Sequence, residues 1–199
     1  MNTRPVGSRK DKKEYRDHWK KAYPRDSGLR RDLSARVCRN LLSWPFFKRA
    51  ITVAVFYPLD WEPDLTHLWR ARPAACVFPK ADEKTLRLSF FHISSLSSLK
   101  KGYAGIFEPS MAESGDLVTD WGPDDLVLVP GLAFDRQGGR IGSGRGFYDR
   151  FLQNLPARKI GVCFDAQIVK ERLAQDKTDV RMDGLCSETS LNLSLGKSL

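Results

Sequence analysis

Residues 129–150 read VPGLAFDRQGGRIGSGRGFYDR, and the order of residue types here decides how the chain folds. The stretch opens at the end of an apolar run, 125–129, that reads as a buried strand. Five glycines then fall within nine positions: Gly138, Gly139, Gly142, Gly144 and Gly146. A helix is expected next, because Tyr148, Phe151, Leu152 and Leu155 fall at i, i+3, i+4 and i+7. Strand, glycine loop and helix in succession aim free backbone N–H groups and a helix N-terminus at an anion. Arg140 and Arg145 add cations of a shape suited to phosphate. Phe147 and Asp149 flank the apolar stripe, which sets an aromatic wall beside the loop. Spacing alone leaves a second reading equally open, a flexible surface turn with two solvated arginines. The stretch is neither GxGxxG nor GxxxxGK[ST], so neither dinucleotide nor P-loop geometry follows from it.

Working outward, three more apolar runs read as strands covered on both faces: 51–57 (ITVAVFY), 74–78 (AACVF) and 159–164 (KIGVCF). Residues 86–91 (LRLSFF) alternate less cleanly and are expected to form an edge strand. Tyr15, Trp19 and Ala22 mark one helix, broken at Pro24, Asp26 and Gly28. Leu33, Val37, Leu41 and Trp44 mark another, which stops before Pro45. A short helix is expected over 63–70, and 94–123, rich in Ser and Gly, is expected to be mostly loop. Strands alternating with helices imply a single α/β domain, with a mostly parallel central sheet, helices on both faces and a Rossmann-like three-layer arrangement.

At 199 residues, with 41% hydrophobic and 29% charged, the chain is neither disordered nor a membrane bundle. The longest apolar stretch is far short of a bilayer span. Its net charge of +9 is concentrated at one end: residues 1–31 hold 11 basic and 4 acidic side chains, and the remainder holds 22 and 20. A nucleic-acid binder usually spreads its cations over one face of the domain. Asp11, Glu14 and Asp17 argue against an acid-poor transit peptide, and no apolar secretion segment follows the start. Cys38, Cys76, Cys163 and Cys186 form no CxxC, so reduced thiols in the cytoplasm are expected. Cys76 and Cys163 fall inside apolar strands and read as buried small hydrophobes. His18, His67 and His92 share no metal spacing with the cysteines. Domain limits are expected at 1–10 for a disordered basic N-terminus, 11–190 for the α/β body and 191–199 for a tail.

The glycine block as a whole resembles the signature of the 5-formyltetrahydrofolate cyclo-ligase family, also called 5,10-methenyltetrahydrofolate synthetases. PGLAFD at 130–135, then Gly139, Arg140, Gly142, Gly144, Gly146, Tyr148, Asp149 and Arg150 fall in register with that signature. Phe147 stands where the family has a tyrosine, one hydroxyl fewer. The resemblance runs from about Lys12 to Glu188. It implies an ATP-dependent closure of 5-formyltetrahydrofolate to 5,10-methenyltetrahydrofolate, with Mg²⁺ as cofactor and ATP as co-substrate. Folate and ATP are the expected small-molecule partners; no membrane, no nucleic acid and a monomer are also expected, the first two from the short apolar runs and the nearly neutral body.

Residue by residue, the resemblance implies that Lys12 and Arg16, on one helical face, reach the nucleotide. Without it they read as a solvated pair of like charges. Arg140, Gly142, Ser143, Gly144, Arg145, Gly146, Phe147 and Tyr148 would surround ATP, with Arg140, Arg145 and Asp149 carrying the chemistry. Tyr57 and Glu62 look like the family's folate positions, because a carboxylate accepts from paired N–H donors of a pterin. Pro63 replaces the family's valine there. Residues 105–109 (GIFEP) resemble another pocket wall, offering Tyr103 or Phe107 for stacking, and Phe147 would also touch folate. TDVRMD at 178–183 resembles the family's HDVxxD, with Thr178 in the histidine's place. Asp149 and Asp179 would then be the Mg²⁺ ligands. On their own, Asp149 reads as a first-turn helix acid and Asp179 as a loop acid. Two alternatives stay open: a basic anion-binding or nucleic-acid-binding protein, and a relative acting on a different substrate.

Overall fold

The computed structural model describes residue 16 and residues 26–110 and 114–193. Arg16 is helical; Lys12, the stripe of Tyr15, Trp19 and Ala22, and the expected N-terminus 1–10 lie outside the described residues. Helix α1 spans Ser27–Ser43, started by Asp26, whose carboxylate accepts from Leu29 N at 2.7 Å. Gly28 therefore sits in its first turn and does not break it. Val37 and Leu41 form the buried stripe, and Trp44 ends the helix as expected. Pro45 then opens a short helix not anticipated, α2 (Pro45–Arg49), at the position where a missing N–H costs nothing. Helix α3 is Thr66–Ala71.

Among the described residues the main sheet has eight strands, and five in its middle are parallel: β12 (Gly184–Cys186), β10 (Arg158–Val162), β7 (Leu126–Val129), β1 (Val53–Ala54) and β2 (Cys76–Asp82). Side chains alternate across it. Val53, Val55, Leu126 and Leu128 face a core shared with α1, α2 and α3, while Ala54, Val77, Val127 and Val129 face the other core. The regular part of β1 is short, but Val53 to Phe56 are all buried; Ile51, expected inside the strand, is 71% exposed.

The antiparallel flank corrects the expected edge. Strand β3 (Arg87–Ile93) pairs with β2 on one side and with β6 (Ser114–Val118) on the other, so β6 is the edge. Residues 114–118 (SGDLV) lack an apolar face strong enough to announce a strand; pairing with β3 supplies it. The expected loop 94–123 also holds a two-stranded hairpin, β4 (Leu99–Lys101) and β5 (Phe107–Pro109). On the other side β13 (Leu191–Asn192) adds an antiparallel strand to β12, so the expected tail begins with a paired segment.

Helices cover both faces unequally. Three lie on one face. Among the described residues from 26 onward, the second carries only α4 (Phe147–Leu152) with a small sheet ordered β11 (Ile168–Val169), β8 (Ala133–Asp135), β9 (Arg140–Ile141). The helix expected after the glycines is thus six residues long. No helix among the described residues is long and apolar enough to cross a membrane.

Candidate active site

A cavity of about 860 Å³ opens at the carboxyl ends of β1, β2 and β7. Strand β1 pairs with β2 on one side and β7 on the other. The chain leaves β1 toward α3 on one face and leaves β7 toward α4 on the other, the arrangement in which α/β sheets leave a crevice for ligands. Every predicted site residue that is described lines this cavity, except Phe107.

One wall is the loop between β9 and α4. Gly144 has φ of +106° and Gly146, the residue before α4, +71°, conformations that a side chain would strain. Among the described residues, no backbone N–H from Gly142 to Gly146 donates within the protein. Those amides are left for a ligand. Because α4 is so short, the anion-binding capacity rests on these amides and on side chains more than on a helix dipole. Arg16 reaches the loop from 126 residues away, its Nε donating to Gly142 O at 3.0 Å.

Arg140 is not a free phosphate cation. Its side chain is buried, with Nη2 on Asp149 Oδ1 at 2.8 Å and Nη1 on Pro130 O at 3.3 Å. Its Nε has no partner among the described residues. Arg140 instead aims Asp149, whose second oxygen has no bond within the described protein. Asp179 lines the same cavity and accepts from Asp176 N at 2.8 Å. No group of three or more His, Cys, Asp or Glu close enough to hold a metal occurs among the described residues. Mg²⁺ needs no such group, since it takes one or two carboxylates and completes its shell with phosphate and water. Asp149, with one oxygen in hand, and Asp179 fit that kind of site.

The opposite wall is apolar and aromatic. Glu62 is buried, one oxygen accepting from Leu59 N at 2.9 Å. Burial pushes its carboxyl up to about 7, against a smaller opposing effect of that hydrogen bond. Burial, and the nearby Glu62 carboxylate after it, also push the Tyr148 phenol upward. Tyr103 lies edge-on to Phe147, ring centroids 5.2 Å apart, and Arg145 stands over Tyr103 at 5.9 Å. Phe147 is therefore buried where the two walls meet.

Phe107 does not enter the cavity. It packs behind Tyr57 at 4.9 Å, while its neighbour Glu108 lines the cavity. Adjacent strand residues point to opposite sides, so one of the pair had to turn away. Glu108 was missed: it accepts from Lys80 Nζ at 3.0 Å and from Ala81 N at 3.2 Å, fastening the β4–β5 hairpin to β2. Trp61 and Gln153 also line the cavity without any sequence signal beyond adjacency to Glu62 and α4. Thr178 lines it as well, whereas Pro63 is buried and outside it.

The 5-formyltetrahydrofolate cyclo-ligase family profile matches residues 8–188. The 5-formyltetrahydrofolate cyclo-ligase of Escherichia coli (strain K12) is 28% identical over 167 residues, covering 80% of this chain and 90% of its own. An NMR structure of Aquifex aeolicus 5,10-methenyltetrahydrofolate synthetase is 35% identical and superposes with a TM-score of 0.78 over 94% of this chain and 95% of that one. A 5,10-methenyltetrahydrofolate synthetase from Mycoplasma pneumoniae, 21% identical, shares the fold with a TM-score of 0.67 over 89% of this chain and 99% of its own. With the profile spanning nearly the whole chain and the signature residues gathered around one cavity, the protein belongs to the 5-formyltetrahydrofolate cyclo-ligase family.

Proposed function

We propose that the protein closes 5-formyltetrahydrofolate to 5,10-methenyltetrahydrofolate at the expense of ATP, releasing ADP and phosphate. The observation that carries this is the two-walled cavity: unbonded loop amides on one side, and a buried carboxylate among aromatic rings on the other. Its volume of about 860 Å³ sits near the top of the usual range for ligand pockets, roughly 300–1,000 Å³.

The chemistry needs placement more than a protein nucleophile. The formyl oxygen attacks the γ-phosphorus, ADP leaves, and an imidate phosphate forms on the folate. N10 then attacks the activated carbon, loses its proton, and phosphate departs with the original formyl oxygen. Holding the two partners aligned is worth roughly 7–11 kcal/mol in well-oriented reactions. Glu62 and Tyr57 hold the pterin, while Arg16, Arg145 and the amides of 142–146 hold the triphosphate and meet the charge moving onto the bridging oxygen. Arg145 closes over the phosphates when ATP binds. Asp149 and Asp179 would hold Mg²⁺, which would draw charge from the phosphate oxygens. Arg140 serves by holding Asp149 aimed.

The four cysteines are buried and unpaired, which suits a reducing cytoplasm. Incubation with 5-formyltetrahydrofolate and Mg·ATP is expected to produce the near-ultraviolet absorbance of the methenyl product. No absorbance with both substrates bound sinks the reading and favours a relative with a different substrate.

A further inference from the structure

We propose that Asp135 is a positioning residue for the nucleotide side of the reaction. Its carboxylate ties the irregular segment carrying Asp176 and Asp179 to the turn that launches the glycine loop. The proposal rests on the cyclo-ligase reading above.

Asp135 ends β8 and is fully buried. It has no ion-pair partner among the described residues. Three backbone N–H groups meet its charge: Gln137 at 2.8 Å and Gly139 at 2.7 Å on Oδ1, and Leu173 at 2.8 Å on Oδ2. Hydrogen bonds to an ionised acceptor are about twice as strong as neutral ones. The first two close the turn between β8 and β9. The third leaves the turn altogether and holds residue 173.

That third bond matters because residues 174–183 have no strand or helix to place them. Their position depends on tethers, and the same turn supplies them at both ends. Leu173 is held by Asp135. Further on, Met182 N donates to Gly138 O at 2.9 Å and Arg181 Nη1 donates to Gln137 O at 3.1 Å. Between these anchors lie Asp176, Thr178 and Asp179, all lining the cavity. In the other direction, the turn leads straight into Arg140, the first residue of β9, and Arg140 aims Asp149. One carboxylate thus sits where the supports of both proposed metal ligands join.

The fit leaves no slack. A Cβ at position 139 would lie 2.3 Å from Asp135 Oδ2, and one at 138 would lie 2.5 Å from Met182 O. The pair Gly138–Gly139 therefore serves this tie rather than the nucleotide directly, which separates it from the three glycines that follow.

Asp135→Asn keeps the shape but turns one acceptor into a donor facing a backbone N–H. Two calorimetric titrations test it, one with a non-hydrolysable ATP analogue at fixed Mg²⁺ and one with 5-formyltetrahydrofolate. Nucleotide affinity is expected to fall about tenfold, as when a metal ligand loses its outer support, with folate affinity within about twofold. If both affinities hold, or both fall together, Asp135 is structural only and the proposal is overturned. Should Asp135→Asn not fold, Arg181→Ala takes its place, because Arg181 is exposed and removes one tether of the same turn. It is expected to weaken the nucleotide about threefold, the worth of one hydrogen bond, and leave folate unchanged. Unchanged nucleotide affinity in that variant overturns the proposal. Failure of the cyclo-ligase reading shows differently, as wild-type protein that binds both compounds and makes no methenyl product.

Discussion

The two walls of the cavity are built on opposite plans. The wall proposed for the nucleotide is nearly continuous in sequence: Arg140, the 142–146 loop and Asp149 fall within ten residues, and its polar groups are mostly backbone amides. The wall proposed for folate is gathered from separate places, Tyr57 and Glu62 after β1, Tyr103 and Glu108 in the hairpin, with Glu108 fastened to Lys80 on β2. Its working groups are side chains, one of them a carboxyl that burial holds partly neutral near pH 7. A local motif can present amides without help, because glycines free the backbone to turn toward a ligand. A desolvated acid among aromatic rings exists only after distant segments have packed around it. The walls meet at Tyr103, Phe147 and Arg145.

The sharpest way to break the nucleotide wall alone is Asp149→Asn. It removes the partner of buried Arg140 and a proposed Mg²⁺ ligand, so turnover is expected to fall about 100-fold or more. Folate binding and cooperative unfolding should survive; wild-type magnesium titration in this variant would show that Asp149 has no such role. Arg145→Ala removes the cation that spans both walls. A loss of about thirtyfold in kcat is expected, with KM for folate changed by less than about twofold. Full turnover ends the idea that Arg145 closes over the phosphates.

Glu62→Gln addresses the folate wall. KM for folate is expected to rise about tenfold, the worth of one hydrogen bond to a charged group, while nucleotide affinity stays. The same variant has a signature in stability. Folding raises the Glu62 carboxyl from 4.5 to about 7, so the folded state holds this proton more tightly than the unfolded one. Its contribution is present below pH 4.5 and is lost as pH rises through about 7, a change of up to about 3 kcal/mol. Denaturant melts across that range should show the limb in wild-type protein and not in Glu62→Gln. The smallest effect is expected from Phe147→Tyr, which restores the family's hydroxyl at a ring already packed on Tyr103. A change of less than about threefold in either KM is expected, within the worth of one hydrogen bond. A larger loss would mean the junction of the walls has no room for the extra atom.

Much of the site was legible because its chemistry is local. The glycine stretch and Arg145 suggest an anion loop by residue type, with a solvated turn equally open on spacing alone, and family resemblance adds Asp149, Arg16, Tyr57 and Glu62. Residue type alone gives Arg140 to a phosphate; nothing in the sequence says that its guanidinium is buried against Asp149 and Pro130 O. Phe107 was included for its aromatic ring, but strand alternation gave the cavity Glu108 instead. Strand β6 was invisible because its residues are polar and its pairing with β3 is set by a partner more than twenty positions away.

By itself the sequence determined the class of fold and the open loop between β9 and α4, since apolar runs buried on both faces demand a covered parallel sheet and clustered glycines demand an open backbone. Only the tertiary structure decided which charges are spent inside the protein and which remain for a ligand. Arg140 and Arg145 look alike as letters, five positions apart, yet one is buried in an ion pair and the other is exposed over a ring. The reason is physical: the energy of a charge depends on the solvent and partners around it, and those are set by segments far away along the chain.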